Sequence, residues 1–236
     1  MTTVALALLH SPLTSASAWG DLPAVLEARG YVVIVPEVLD DDRPPYAQKY
    51  IARAALQLAT AAPDQPLVLI GHSGAGPLLP QLGFARYSAG VPVRGYIFLD
   101  AMLPRVPQAT TRLDLMALED PDLASALAGV LGDGQRFPDW AESELTGELP
   151  DPGHRAMLLA GLRPRSLDFF TEPLPMTEDW PDARCGYVQL SDAYNVAAAT
   201  AGSRGWAVER IKAHHFAAMN EAATVADGLT KVLRQM

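Results

Sequence analysis

Residues able to do chemistry gather around one serine. The stretch LVLIGHSGAGPLL, Leu67 to Leu79, passes from an apolar strand pattern through Gly71, His72 and Ser73 into a helical pattern. A tight strand-to-helix turn forces its central serine into strained dihedrals, so only small residues fit two positions either side. Such a turn presents the hydroxyl as a nucleophile. The Gly-x-Ser-x-Gly spacing is incomplete because position 75 is alanine, but alanine meets the size limit, and Gly74 and Gly76 flank it. A serine needs a base. Among the five histidines, His214 and His215 stand in VERIKAHHFAAMNEA, after the last strand pattern and near the end of the chain. A histidine in that loop can take the serine proton and return it to a leaving group.

The elements that must position these groups follow from hydrophobic period. Apolar runs at Val4–Leu9, Tyr31–Pro36, Leu67–Ile70 and Val93–Leu99 alternate with helical patterns at Trp19–Arg29, Tyr46–Thr60 and from Gly74 to Gly90. Strands apolar on both faces and separated by helices predict a mostly parallel sheet with helices on both faces, an α/β fold. From about Arg105 to Asp182 the rhythm breaks into proline-rich, acidic and tryptophan-bearing sequence with short helical patterns. That length is too great for a plain loop and reads as an inserted helical cap. The rhythm resumes at Gly186–Leu190, Trp206–Ile211 and a last helix, Asn220–Arg234. The expected division is therefore a core of residues 1–104 and 183–236 with a cap of 105–182. In this topology the loop after the last strand lies beside the serine turn, on the sheet edge where such folds bind ligands.

Composition narrows the function. The 236 residues are 49% apolar and 19% charged, ordinary for a folded globular chain. A net charge of −9 without a Lys/Arg cluster argues against a nucleic-acid surface. No segment reaches the roughly 20 apolar residues of a membrane span, and the apolar start lacks a basic flank, so it reads as a strand and the expected location is cytoplasmic. The single cysteine, Cys185, precludes an internal disulfide and reads as a buried, inert thiol. No ligand-spaced cluster implies a metal, and no organic cofactor is implied.

Over nearly its whole length the chain resembles the α/β-hydrolase superfamily, and within it the compact branch of small esterases, hydroxynitrile lyases and plant methylesterases. The similarity is carried by LLHSPLTSASAW, GHSGAG, FLDAMLP, the cap and AHHFAAM. The resemblance implies that the base is His215, directly before the apolar residue of the last motif, with His214 a neighbour. His72 is structural in that branch. His10 is expected to shape the loop that follows it, and His154 to be solvated in the cap.

The third member of a triad is a carboxylate that holds the histidine tautomer and stabilises its cation. Asp100, ending YIFLDAMLP, resembles the corner from which some lipases draw this acid and is the first candidate. Asp192, after GYVQLS, is the second; the superfamily's usual position falls a residue or two further, at Ala193 and Tyr194. Their non-catalytic readings are a buried carboxylate tying down loop N–H groups and a helix N-cap, respectively.

The resemblance also implies an oxyanion hole of two backbone N–H groups, one from Gly74 and one from the position matching Pro12. Proline has no N–H, and losing one such donor typically costs about 10²–10³ in rate. Two repairs are open: the Leu13 N–H through a shifted loop, or the Ser11 hydroxyl.

The expected activity is hydrolysis of a small, fairly apolar ester, thioester or lactone through an acyl-enzyme. The expected partner is a small-molecule substrate, with no nucleic acid and no membrane; oligomeric state stays open. A lyase or cyclase reusing the same Ser–His pair, and a low-turnover ligand-binding protein, are the rival readings. Phe137, Trp140, Phe169, Phe170 and Trp180 either line an acyl pocket or form the cap's own core.

Overall fold

The computed structural model describes residues 4–105, 110–175 and 179–236. Six strands form one sheet: β1 (Ala5–Leu9), β2 (Val32–Ile34), β3 (Leu67–Ser73), β4 (Gly95–Ala101), β5 (Arg184–Gln189) and β6 (Ala207–Arg210). They lie in the order β2-β1-β3-β4-β5-β6, and each neighbouring pair is parallel. The order reverses direction at β1, and β3 occupies the middle. Outside the insertion the helices are α1 (Leu22–Ala28), α2 (Tyr46–Ala61) and α3 (Leu79–Ser88). Between β4 and β5 come α4 (Arg112–Glu119), α5 (Pro121–Gly132), α6 (Pro152–Ala160) and α7 (Leu167–Thr171); α8 (Asn195–Ser203) joins β5 to β6, and α9 (Ala217–Asn220) and α10 (Ala222–Gln235) follow β6.

Side chains alternate across a strand, so a strand apolar at every position is covered twice. Ala5, Ala7 and Leu9 of β1 face one core with Tyr50, Ala54 and Leu58 of α2 and Leu79 and Leu82 of α3. Leu6 and Leu8 face the other, with Leu22 and Leu26 of α1 and Val225, Leu229 and Val232 of α10. Burying each such leucine contributes about 1.5–3 kcal/mol, which fixes the register and with it the height of every loop at the strand ends.

The segment between β4 and β5 adds helices and no strand to the sheet among the described residues. Residues 106–109 and 176–178 of the expected 105–182 cap lie outside the described residues. Of its aromatic residues Phe169 and Phe170 are buried, and Phe137, Trp140 and Trp180 are half-buried. Phe169 and Phe170 are each 1% exposed and pack with Tyr46, Leu127 and Leu131. Trp140 meets Phe216 edge-on at 5.6 Å, and Trp180 packs against Phe98 and Trp206 at the sheet. Cys185 is a buried free thiol whose ionisation is pushed up to about 12 by burial.

Candidate active site

Ser73 ends β3 and has φ 55°, the left-handed conformation that an L-residue adopts only under constraint. The constraint comes from both sides. Leu79 packs on Gly71, and a side chain at position 76 would overlap the Met102 carbonyl oxygen. Glycine is thus required at 76, one residue beyond the usual pattern, and Ala75 is accommodated in full burial. Each stretch of the turn has a tertiary contact that sets its size.

Opposite Ser73 the ladder slips. His72 pairs with Leu99 and Ser73 pairs with Ala101, so Asp100 is an extra residue in β4, with φ 42°. A bulge of this kind re-aims one side chain, and here it turns a carboxylate into the loop end of the sheet. Tyr187 of β5 fixes the bulge, its hydroxyl donating to Ala101 O at 2.8 Å and accepting Ala101 N–H at 3.0 Å.

Asp100 is fully buried and fully engaged. Its Oδ1 accepts the N–H groups of Leu190 (2.8 Å) and Ser191 (3.0 Å), while Oδ2 accepts the Ser191 hydroxyl (2.7 Å) and His215 Nδ1–H (2.7 Å). Burial acts to raise this carboxyl, but the His215 and Ser191 hydrogen bonds outweigh it and hold it below the ordinary carboxylate range. An ionised Asp100 accepting from Nδ1–H leaves Nε2 of His215 as the ring nitrogen that can accept a proton.

Two rings stack on His215. Its ring lies 4.4 Å from His72 and 5.3 Å from Tyr194, at interplanar angles of 29° and 18°. His72 donates through Nε2 to His215 O at 3.0 Å, and burial, reinforced by the neighbouring His215, lowers its pKa to about 3. It is therefore a neutral stacking partner that adds no charge beside His215. Ser73 Oγ lies 3.2 Å from the Tyr194 hydroxyl. Among the described residues the Ser73 hydroxyl bonds to Tyr194 and not to His215.

Asp192 stands apart. It is exposed, the first residue of a single 3₁₀ turn that Ser191 precedes, and its side chain caps nothing. His214, beside His215 in the chain, hydrogen-bonds Asn220 Oδ1 at 3.0 Å and faces Glu148 and Glu221. His154 lies on α6 at a half-buried position.

The loop after β1 has a different construction. Ser11, Pro12, Leu13 and Thr14 form a turn closed by Thr14 N–H to Ser11 O at 3.0 Å, with proline where its fixed φ suits the turn. Leu13 N–H points back onto Ser11 Oγ at 3.3 Å. Among the described residues the buried Ser11 hydroxyl has no acceptor for its own proton, and it lies against Gly74. His10 holds the loop from below: its Nδ1–H donates to Ser11 O at 2.8 Å and Nε2 accepts Val38 N–H at 3.0 Å. Burial lowers the His10 pKa, so the ring stays neutral.

From above, the loop is held by the insertion. Arg163 N–H donates to Leu13 O at 2.8 Å, and Arg165 Nη2 donates to Pro12 O at 3.3 Å. Arg165 is itself buried and pairs with both Asp40 oxygens at 2.8 Å and with Asp42 at 2.7 Å.

A family model for the alpha/beta hydrolase family matches residues 6–227. The chain belongs to that family. Among solved structures it is similar to an extracellular alpha/beta-hydrolase from a Paenibacillus species, at 12% identity over 97% of this chain and 98% of that one, with a TM-score of 0.76. It is also similar to polyneuridine aldehyde esterase, at 16% identity over 98% and 99% of the two chains, TM-score 0.72. A pyrethroid hydrolase aligns at 19% identity over 99% and 98%, TM-score 0.69. At these identities the likeness concerns the fold. No curated protein matches the sequence. Among the described residues no helix is long and apolar enough to cross a membrane.

Sequence reasoning passed over Tyr187, Ser191, Tyr194, Arg163 and Arg165. For Tyr194 a signal existed, since it stands where the superfamily's usual acid falls. The others carry no local mark, because their partners lie 86 to 153 positions away in the chain.

Proposed function

We propose that this α/β-hydrolase is a serine hydrolase of a small, fairly apolar ester, thioester or lactone, working through an acyl-enzyme. The observation that carries this reading is the 2.7 Å bond from His215 Nδ1 to a buried, ionised Asp100, beside a serine held at φ 55° on the same sheet edge. His215 Nε2 takes the Ser73 proton as Oγ attacks the substrate carbonyl, and returns it to the departing group. Gly74 N–H and the Ser11 hydroxyl hold the oxyanion, with Leu13 N–H behind Ser11 fixing the direction in which that hydroxyl donates. Water activated by His215 then releases the acid. Pro12 removes one backbone donor, and Ser11 supplies a side-chain donor in its stead.

Residues 105–182 act in this reading as a cap over the site. Phe216 and Met102, next to His215 and close to Gly74, suit a small apolar acyl or alkyl group. The esterase and pyrethroid hydrolase likenesses support ester chemistry.

Labelling with a fluorophosphonate tests the reading. Stoichiometric modification that vanishes in Ser73→Ala, together with a pre-steady-state burst on a p-nitrophenyl ester, is the expected result. Absence of both would overturn it. Turnover without a burst would instead indicate acid–base chemistry by the same pair.

A further inference from the structure

A tyrosine hydroxyl occupies the space beside the nucleophile where the roles assigned above place nothing. Resting on the hydrolase reading, we propose that Tyr194 is a catalytic residue whose hydroxyl donates to Ser73 Oγ and carries the charge that gathers there when the acyl-enzyme is hydrolysed.

Geometry supplies the first support. Tyr194 Oη and Ser73 Oγ are 3.2 Å apart, and the tyrosine ring lies nearly parallel to the His215 ring. Tyr194 therefore touches the reacting oxygen and the base together. Burial raises its phenol well above the ordinary value, so it keeps its proton throughout the working pH range and acts as a donor. With Tyr194 donating, the Ser73 proton is free to turn toward His215.

The chain on both sides of Tyr194 is pinned, which is what a preorganised donor requires. Before it, the Ser191 N–H and hydroxyl are committed to Asp100. After it, Asn195 Oδ1 accepts Gln189 Nε2 at 2.6 Å, and the Val196 and Ala197 N–H groups donate to Glu119 of α4 at 2.8 and 2.7 Å. The tyrosine thus stands on a backbone clamped from β4, β5 and the insertion.

The step that needs such a donor is the collapse of the second tetrahedral intermediate. Water, having lost a proton to His215 Nε2, has bonded to the acyl carbon. The C–Oγ bond breaks and its electron pair goes to Oγ, which receives the proton held on His215; the carboxylic acid departs. Tyr194 keeps its own proton and donates a hydrogen bond that strengthens as Oγ becomes negative. An unactivated seryl alkoxide is a poor leaving group, so a donor has most leverage here. It has little in acylation by a p-nitrophenyl ester, where the expelled group is already stable.

The test is Tyr194→Phe, which retains the ring that stacks on His215 and removes only the hydroxyl. With p-nitrophenyl acetate the burst rate should stay within a few-fold of wild type. Steady-state turnover should fall about 10- to 100-fold, the range for a hydrogen bond to a charged group, and acyl-enzyme should accumulate on Ser73. Equal burst and steady-state rates in the two proteins, or faster turnover in the variant, would overturn the proposal and leave Tyr194 as a cover for the base. Fluorophosphonate titration of Ser73 verifies that the variant is folded. If it is not, a fluorinated tyrosine at position 194, a stronger donor of nearly the same shape, must speed deacylation, and no change refutes the inference. A wild-type protein with neither Ser73-dependent labelling nor a burst removes the hydrolase reading and this inference together. A wild-type burst with an unaffected variant removes only the inference.

Discussion

The two halves of the site are held in place by different kinds of structure. Ser73 and Asp100 hang from the ends of the central strands β3 and β4 and His215 from the loop after the edge strand β6, and their supports are the bulge, Tyr187 and the backbone N–H groups of Leu190 and Ser191. Ser11, Pro12 and Leu13 sit in a turn whose carbonyls are gripped by Arg163 and Arg165 of the insertion. The half built on Asp100, His215 and Ser73 therefore belongs to the sheet. The Ser11 half belongs to the contact between sheet and insertion.

The sharpest break of the first half is Asp100→Asn. An amide cannot stabilise the imidazolium and favours the wrong tautomer, so kcat on a p-nitrophenyl ester should fall on the order of 10⁴-fold. Breaking the second half at Ser11→Ala removes one oxyanion donor, with an expected loss of about 10²–10³ in kcat. Pro12→Ala in the same assay should change kcat only a few-fold, because the turn persists and Ser11 remains. Equal losses in the two loop variants would show that the proline, and not the hydroxyl, sets the hole.

Arg165→Met tests the link to the insertion. It strands Asp40, which is 7% exposed, and breaking a buried pair in this way typically costs about 3–5 kcal/mol. At about 2–4 °C per kcal/mol for a chain of this size, Tm should drop by roughly 6–20 °C. Ester turnover measured well below Tm should fall as well, whereas an insertion merely packed on the sheet would lower Tm alone.

The effect confined to acid pH concerns His72. Its folded pKa lies near 3, below the unfolded value of about 6.5, so the unfolded chain binds the extra proton between those values. Stability then falls as pH drops from about 6.5 towards 3, at up to about 1.4 kcal/mol per pH unit. Above 6.5 the group contributes no pH dependence. Denaturant melts of His72→Gln against pH should show a slope reduced by about one proton over that window.

The elbow was open to reading from sequence because its rules are local. Small residues around Ser73, an apolar run before it and a helical pattern after it all lie within a dozen positions. The displacement of the second glycine by one residue, to Gly76, was visible as a departure from the usual spacing. Its cause was not, since Met102 O closes the space from beyond the end of a different strand. The choice between Asp100 and Asp192 as the partner of His215 also lay beyond local pattern. Both follow apolar strands, and only the slip between His72 and Ser73 in the β3–β4 ladder turns one of them inward.

From its amino-acid order alone, this chain determined the alternation of strands and helices, the strained serine turn and the presence of histidines after the last strand. Each depends on period, residue size and conformational preference over a few neighbours. Tertiary structure alone decided that Asp100 meets His215, that Tyr194 meets Ser73 and that arginines from the insertion grip the Ser11 turn. Those pairings join residues roughly a hundred or more positions apart. Their distances are set by strand register and by the packing of whole elements, which no short stretch of sequence contains.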